Sequence, residues 1–204
     1  MAESYDTKKQ KIIDQAKQIF GQLGFNKTTL DDIAEAVGMK KNSLYYYFEN
    51  KEKLFTELFY SEMKKIEEGQ TEILIKCKSS RSKIEELIKY TLDVHSTRSL
   101  AVRTFTIKAF FEIKRFLQSD IEKFKIKQTR RFEEIFREGV KNKEFKKHNS
   151  AILAENIVSV MNALMAFEFN KAKVNYVHEI DFVKVNSTML GILKHILDGI
   201  ETKQ

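Results

Sequence analysis

Proline is absent from this chain, and glycine occurs only seven times. Because proline breaks helix interiors and glycine weakens them, a chain poor in both can form long, uninterrupted helices. Cys77 is the single cysteine, so an internal disulfide is excluded, which fits a reducing compartment. The N-terminus lacks the apolar core of a signal peptide, and we expect a cytoplasmic protein. No uninterrupted apolar run approaches the roughly 20 residues of a bilayer span, so we expect no membrane partner.

Sequence motifs for catalysis and for metal binding are also absent. The four histidines show no metal-ligand spacing with one another, and Cys77 lies in no recognisable motif. There is no glycine-rich phosphate loop, no GxSxG and no HExxH. We therefore expect no enzyme activity, no cofactor and no metal site.

Abundant apolar residues at helical spacing dominate what is present. Of the 204 residues, 42% are hydrophobic, which is enough for a substantial core, and no internal repeat is visible. The periodicity predicts an all-α protein of about nine helices. The predicted helices cover about residues 7–23, 29–38, 41–48, 51–76, 82–96, 100–117, 119–143, 149–173 and 177–200.

The positive charge of the chain lies away from its N-terminal segment. The formal net charge is +7, yet residues 1–60 carry nine lysines and nine acidic residues. Any affinity of that segment for nucleic acid must therefore come from where its lysines are placed. Lysines at positions 40, 41, 51 and 53 surround three consecutive tyrosines, whereas the acids Asp31, Asp32 and Glu35 precede them.

The second and third predicted helices form a helix-turn-helix. They are short and are joined through Gly38-Met39-Lys40, and a glycine-containing turn of this kind is typical of DNA-reading motifs. Leu44 and Phe48, four residues apart, should face the core. The three tyrosines at 45–47 project about 100° apart around a helix, so at least one of them must face solvent. Exposed phenol rings suit phosphate oxygens and thymine methyl groups.

These residues closely resemble the N-terminal motif of the TetR family of bacterial transcriptional regulators. The resemblance covers about 45 residues and rests on the pattern Gly24-x-x-x-Thr28-Thr29-x-x-x-Ile33-Ala34-x-x-x-Gly38 followed by Leu44-Tyr45-Tyr46-Tyr47-Phe48-x-x-Lys51-Glu52-x-Leu54. It implies an N-terminal helix-turn-helix DNA-binding domain at residues 1–50, a three-helix unit. It also implies a larger helical effector-binding and dimerisation domain at residues 51–204.

The resemblance implies contacts with double-stranded operator DNA. Thr29 would meet a phosphate, the third helix would meet the groove, and Lys51 would meet the backbone. Lys40 replaces the serine or threonine that commonly caps the third helix, which adds a phosphate-seeking charge. The predicted DNA-binding set is Thr28, Thr29, Lys40, Lys41, Asn42, Ser43, Tyr45, Tyr46, Tyr47 and Lys51. Thr29 acting only as a helix cap, Lys51 only as a solvated residue, and Tyr45 only as a packing residue stay open as alternatives.

The last two predicted helices are apolar around most of their girth, which indicates burial on two sides. A second copy of the chain is the simplest cover for the outer side, giving a four-helix homodimer interface; a thick monomer core is the alternative. The predicted interface residues are Ile157, Met161, Leu164, Phe182, Val185, Met189, Ile192, Leu193 and Ile196.

Phenylalanine is abundant beyond residue 60, and aromatic rings suit either an effector pocket or an ordinary core. The resemblance favours a pocket for a small, mostly apolar effector of unspecified identity. Candidate lining residues are Tyr90, Val94, His95, Arg103, Phe105, Phe110, Met161 and Met165. His95 and Arg103 could bind a carboxylate. The basic positions 123, 125, 127, 130, 131 and 137 could favour an anionic effector, or could form a solvated face.

The expected function is DNA-binding regulation of transcription, with a repressor that a small effector releases from its operator. A ligand that tilts the fourth helix would change the spacing of two recognition helices, which must lie about 34 Å apart to enter successive major grooves. A helical protein–protein adaptor without DNA binding is the alternative. Salt-dependent binding to duplex DNA distinguishes the two.

Overall fold

The computed structural model describes residues 4–94, 107–171 and 173–202, and at 107–110, 112 and 178 it describes the backbone alone. Across these residues the chain is all-α, which confirms the predicted fold class. The nine α-helices of the described residues are α1 (Tyr5–Leu23), α2 (Leu30–Val37), α3 (Lys41–Tyr45), α4 (Lys51–Lys76), α5 (Ser80–Asp93), α6 (Ile107–Phe116), α7 (Gln118–Lys141), α8 (Ser150–Lys171) and α9 (Val183–Ile200).

Short polar side chains begin several of these helices. Ser4 caps α1 by accepting a hydrogen bond from the Thr7 amide at 3.2 Å, and Asn50 caps α4 through the Lys53 amide at 2.8 Å. Ser79 accepts from the Ser82 amide at 3.1 Å, so α5 begins at Ser80, two residues before the predicted start. These oxygens satisfy amides that have no partner inside a helix, which fixes where each helix starts.

The segment before α9 departs from the prediction of one continuous helix from residue 177. A separate 3-10 turn covers Val177–Glu179, and α9 begins only at Val183. The Glu179 carboxylate accepts hydrogen bonds from the amides of Asn175 and Tyr176, at 3.0 and 2.9 Å. Asp181 accepts from the Val183 amide at 2.9 Å. Acidic side chains here bind local backbone amides and so interrupt the helix.

The described residues form two compact units. The first comprises residues 4–65, 107–117 and 174–179, and the second comprises 66–94, 118–171, 173 and 180–202. In the first unit the rings of Phe20, Phe25 and Phe55 pack with centroids 5.1–5.7 Å apart. The predicted boundary at residue 50 divides the chain by function rather than by packing, and it stays a prediction.

In the second unit α7 packs against α5 and α8, and α9 packs against α5 and α8. Gly139 of α7 allows this packing to close, because a Cβ there would lie 2.3 Å from the ring of Phe145. Phe145 forms an isolated antiparallel bridge with Glu201 just after α9. Arg81 at the start of α5 pairs with Asp198 and Glu201 at 2.8 and 2.7 Å, which ties the end of α9 to α5.

Helix α8 qualifies in length and composition as a possible membrane span, with a mean hydropathy of 1.5 over an 18-residue window. This differs from the expectation that no segment approaches that criterion, because polar residues such as Glu155 and Asn156 interrupt the apolar run without lowering the mean over the 18-residue window enough. Core helices of soluble proteins pass the same test, so the finding is weak evidence for a membrane. Six α8 residues are buried within the subunit: Ser150, Ala154, Ile157, Val158, Met161 and Phe169.

Candidate nucleic-acid interface

The turn between α2 and α3 depends on one glycine. Gly38 lies in the left-handed region, with φ 70° and ψ 31°, where residues with a Cβ are strained. Its amide bonds back to the carbonyls of Ala34 and Glu35, and the amide of Met39 also bonds to Ala34, at 2.8 Å. These bonds close α2 and redirect the chain into α3, as the sequence predicted.

Helix α3 is short and is anchored from one side. It ends at Tyr45 rather than near Phe48, and residues 46 and 47 continue it as a turn. Leu44 and Phe48 are buried as predicted, with 0% and 2% of their surface exposed. Lys40 occupies the N-cap position without a side-chain hydrogen bond, which agrees with the predicted loss of that cap. Its ammonium group therefore stays available on the surface.

The outer surface of α3 consists of amide, hydroxyl, ammonium and phenol groups. Tyr46 is 74% exposed and Tyr45 is 46% exposed, so the sequence argument that these tyrosines cannot all enter the core is confirmed. The exposed members of the predicted set on this surface are Lys40, Lys41, Asn42, Ser43, Tyr45 and Tyr46. The amide and hydroxyl groups can donate and accept hydrogen bonds, whereas the lysines only donate, so this surface offers both kinds of hydrogen-bonding group together with ring faces.

Tyr5 at the start of α1 supports the last two tyrosines, a role that the sequence reasoning missed. Its ring stacks on Tyr47 with centroids 4.9 Å apart and an interplanar angle of 22°. It also meets Tyr46 edge to face, with centroids 5.8 Å apart. Because 41 residues separate Tyr5 from Tyr46, no local spacing could have shown the contact. Packing between aromatic rings fixes the direction in which Tyr46 and Tyr47 project.

Thr28 does not belong to the DNA-binding set, which corrects the prediction. Its side chain is fully buried, and its hydroxyl donates a hydrogen bond to the Gly24 carbonyl at 2.7 Å. A hydroxyl enclosed in this way cannot reach a phosphate. Its bond instead stabilises the turn that joins α1 to α2.

Thr29 caps α2, and its role toward DNA stays a prediction. Its hydroxyl oxygen accepts from the Asp32 amide at 3.2 Å, and the Asp32 carboxylate accepts from both the amide and the hydroxyl of Thr29 at 2.7 Å. This reciprocal arrangement is a capping box. The hydrogen bonds from Thr29 hold the pKa of Asp32 below its usual value, so the carboxylate stays charged at the positive end of α2.

Two of the four lysines that flank the tyrosines, Lys41 and Lys51, have protein partners. Lys41 pairs with Asp31 of α2 at 2.7 Å, and the hydrogen bond to that carboxylate raises the pKa of Lys41. Lys51, half-buried, donates to the Phe25 carbonyl at 2.9 Å and lies 4.5 Å from the centroid of the Phe25 ring. A phosphate would have to compete with Asp31 for Lys41, and Lys51 would reach it only by sharing its remaining donors.

Comparison with known proteins places this helix-turn-helix in a family. The family model described as "Bacterial regulatory proteins, tetR family" matches residues 12–58. The chain is 27% identical over 162 residues to the HTH-type transcriptional regulator QacR of Staphylococcus aureus, an alignment that covers 78% of this chain and 85% of QacR. The helix-turn-helix of this chain is that of the TetR family.

Two further relatives support this TetR-family likeness, one over a short segment and one over nearly the whole chain. The chain is 51% identical over 47 residues to IcaR of Staphylococcus epidermidis, the negative transcriptional regulator of the biofilm operon icaADBC, and that alignment spans 25% of IcaR and 23% of this chain. A crystal structure of a transcriptional regulator from Cytophaga hutchinsonii superposes with a TM-score of 0.80 at 25% identity, over 94% of this chain and 97% of that one. These relatives are regulators and not enzymes, which confirms the prediction against enzyme activity.

The predicted effector residues do not line the cleft that the structure describes, and their role stays a prediction. His95, Arg103 and Phe105 lie outside the described residues, and of Phe110 only the backbone is described. Val94 and Met161 are buried, and Tyr90 and Met165 are partly exposed. An open cleft of about 530 Å³ lies instead between α5 and α9, and its lining is Lys89, Leu92, Asp93, Ile180, Asp181, Phe182, Val183, Asn186 and Leu190.

The predicted dimer residues divide into two groups, which corrects that prediction. Six of them are core residues of the single subunit with at most 6% exposure: Ile157, Met161, Phe182, Val185, Met189 and Leu193. Leu164, Ile192 and Ile196 keep part of their surface exposed. The α9 stripe of Val185, Met189, Leu193 and Leu197 packs inward on its own subunit, so a partner could meet only the neighbouring surface, which carries Ile192 and Ile196.

Proposed function

We propose that this TetR-family protein is a homodimeric repressor that binds duplex DNA and leaves it when a small effector binds. The observation that carries the proposal is the surface of α3, where polar and phenolic side chains face solvent while Leu44 and Phe48 anchor the helix from beneath. An anchored helix with an exposed polar surface, following a glycine turn, can enter a major groove.

Local geometry supports sequence reading by this surface. Asn42 and Ser43 are exposed and can hydrogen-bond to base edges, whereas Lys40 and Tyr46 can contact phosphates or thymine methyl groups. The tyrosines are held by Tyr5, so little side-chain freedom is lost on binding. Repression, rather than activation, is supported by IcaR, a negative transcriptional regulator to which this chain is 51% identical over 47 residues.

The outer surface of α8 supports a homodimer. Only 28% of its apolar window is buried inside the subunit, and Ile152 and Phe167 are 55% and 61% exposed. Ile192 and Ile196 of α9 are also partly exposed. A second copy would cover these side chains and would present two α3 helices to one duplex, as a two-fold operator requires.

Salt-dependent DNA binding tests the proposal. Fragments that the immobilised protein selects from genomic DNA are labelled, and the Kd is measured by fluorescence anisotropy from about 50 to 200 mM salt. Because phosphate contacts release counterions, we expect the affinity to fall by about a thousandfold or more over this range. Tyr46→Ala should weaken binding by about tenfold at constant salt, because it removes the most exposed ring of the recognition surface.

Tyr60→Ala is the matched control, since Tyr60 is 51% exposed on α4 and lies outside the helix-turn-helix. It should leave the Kd unchanged. Affinity that is insensitive to salt, or an equal Kd for the wild type and for Tyr46→Ala, would contradict DNA reading by α3. The first of these results would favour a protein–protein adaptor.

A further inference from the structure

Arg131 differs from the other basic residues of α7. Its neighbours along the helix have ordinary surface roles: Lys127 pairs with Glu67 at 2.6 Å, Arg137 pairs with Glu133, and Arg130 is exposed. Arg131 is only partly exposed and donates a hydrogen bond to the side-chain oxygen of Gln70 on α4. Within the described part of the chain its guanidinium contacts no carboxylate.

The hydrogen bonds that join Arg131, Gln70 and Gln128 can run in only one direction. Gln70 and Gln128 are buried, with 1% and 7% of their surface exposed, and the Gln70 amide nitrogen donates to Gln128 Oε1 at 2.7 Å. A guanidinium carries donors and no acceptor, so Gln70 must turn its oxygen toward Arg131 and its nitrogen toward Gln128. Gln128 must then present its oxygen to Gln70. Flipping either amide would place like groups against each other.

This direction leaves one buried donor without an acceptor. The Nε2 group of Gln128 has no hydrogen-bond partner among the described residues. A buried donor without an acceptor is costly, and so is a partly buried charge without a counter-ion. Both deficits lie in one cluster, because Gln128 and Arg131 are three residues apart on α7 and contact the same Gln70 side chain. A hydrogen-bond acceptor that carries negative charge would satisfy both the Gln128 donor and the Arg131 charge.

We propose that Gln70, Gln128 and Arg131 form the recognition site for an organic oxyanion, a carboxylate or a phosphate monoester on an apolar chain. The positions one helical turn on either side of Gln70 are Ile66 and Leu74, and those on either side of Gln128 are Phe124 and Phe132. Apolar side chains therefore border the polar cluster along both helices and suit an apolar tail. The role of this ligand as the effector of a repressor rests on the proposed function. Its binding to the site does not.

Thermal unfolding with matched eight-carbon probes tests the site. Octanoate and octyl phosphate supply the two oxyanions, whereas octanol and octylammonium have a similar tail without the negative charge. At about ten times its Kd, a bound oxyanion should raise the Tm by about 3–6 °C. The neutral and cationic probes should not. A larger shift with octyl phosphate than with octanoate identifies the phosphate monoester as the preferred group, and the reverse identifies the carboxylate.

Arg131→Gln removes the charge and should abolish the shift. Arg130→Gln is the matched control, because it makes the same change on the adjacent, exposed residue, and it should keep the shift. An equal shift in the two variants overturns the proposal, as does the absence of any oxyanion shift in the wild type.

Gln70→Glu provides a second route that does not depend on the stability of the Arg131 variant. A carboxylate at position 70 accepts from Arg131 and also from Gln128 Nε2 once the Gln128 amide turns over. We therefore expect a higher Tm without ligand and no further increase with octanoate. A lower Tm, or a full octanoate shift, contradicts the assignment of the missing partner as an anion.

These measurements contain no DNA, so their failure and the failure of DNA binding are separate results. A final measurement joins the two. Octanoate or octyl phosphate, whichever shifts the Tm more, should raise the Kd for the selected DNA in the wild type and in Arg130→Gln but not in Arg131→Gln. An oxyanion that shifts the Tm without changing the Kd supports the site and contradicts its role as the effector site.

Discussion

Two adjacent threonines show how much a single turn decides. Thr28 and Thr29 are adjacent in the sequence, and both belong to the predicted DNA-binding set. After Gly24, which has a φ of 79°, the chain turns Thr28 inward to the Gly24 carbonyl and leaves Thr29 exposed to cap α2. Both hydroxyls stabilise the fold locally, and only the second one can also meet a phosphate.

Replacing Thr28 with valine tests its structural role. The variant keeps the volume of the side chain but loses the bond to Gly24, so we expect the free energy of unfolding in urea to fall by about 1 kcal/mol. DNA affinity of the folded protein should not change.

Thr71→Val is the control, because Thr71 makes the same bond to the carbonyl four residues earlier, at 2.8 Å, from an exposed position on α4. Its stability should change by less than about 0.5 kcal/mol. A weaker Kd for Thr28→Val with unchanged stability would restore Thr28 to the DNA surface.

At the scale of the helix, ion pairs connect α1 to the first half of α4. Lys17 and Glu62 lie 2.7 Å apart with side chains less than a fifth exposed, and Lys9 pairs with Glu57 at 2.7 Å one turn nearer the start of α4. Burial alone would raise the pKa of Glu62, but hydrogen bonds from Lys17 and Lys65 outweigh burial and hold that pKa below its usual value. These contacts fix α1, and with it Tyr5, relative to α4.

Stability measured against pH tests the Lys17–Glu62 pair. Because the pKa of Glu62 is lower in the folded state, its contribution is fully present above the unfolded value of about 4.5 and is lost as pH falls through the folded pKa. Glu62→Gln should therefore lower the free energy of unfolding by about 1–2 kcal/mol at pH 7, and the difference from wild type should shrink below pH 4.5.

Glu72→Gln serves as the control for general acid effects, since the Glu72–Lys76 pair is about 70% exposed. It should change stability little at either pH. A gap between wild type and Glu62→Gln that stays constant down to pH 3 would mean that the pair does not set the pKa of Glu62.

At the scale of the whole molecule, α8 and α9 each carry apolar residues on an inner, buried side and on an outer, exposed side. Their inner stripes complete the subunit core, with Met189 and Leu193 at 1% exposure. Their outer stripes retain Ile152, Phe167 and the partly exposed Ile192 and Ile196. A helix with apolar residues on both sides needs a second cover, and the proposed symmetric copy would provide it without any further partner.

Sedimentation equilibrium tests this arrangement. Ile192→Asp would place an unpaired charge in the proposed interface and should raise the dimer dissociation constant by at least about a hundredfold. Ile75→Asp, at a position 79% exposed on α4, makes the same chemical change elsewhere and should leave the dimer intact. Circular dichroism checks that both variants keep their helices. A fully dimeric Ile192→Asp protein would argue against the α8–α9 surface.

The sequence by itself determined the helices and the kind of site. Helical periodicity, the lack of proline and the two turn glycines were enough for the all-α fold and for the start of α4 at Lys51, because these signals act within one or two turns of the chain. The same local signals placed Leu44 and Phe48 in the core and required at least one of the three tyrosines to face solvent.

Only the tertiary structure decided which neighbour each side chain meets. Tyr5 beneath Tyr46, the inward turn of Thr28, the inward stripe of α9, and Arg131 directed at Gln70 all depend on contacts between distant residues or on the path of a turn. Periodicity gives the apolar stripes of a helix but not the partner of each stripe. A run of basic residues likewise does not show which one of them turns inward, because that depends on an acceptor 61 residues away.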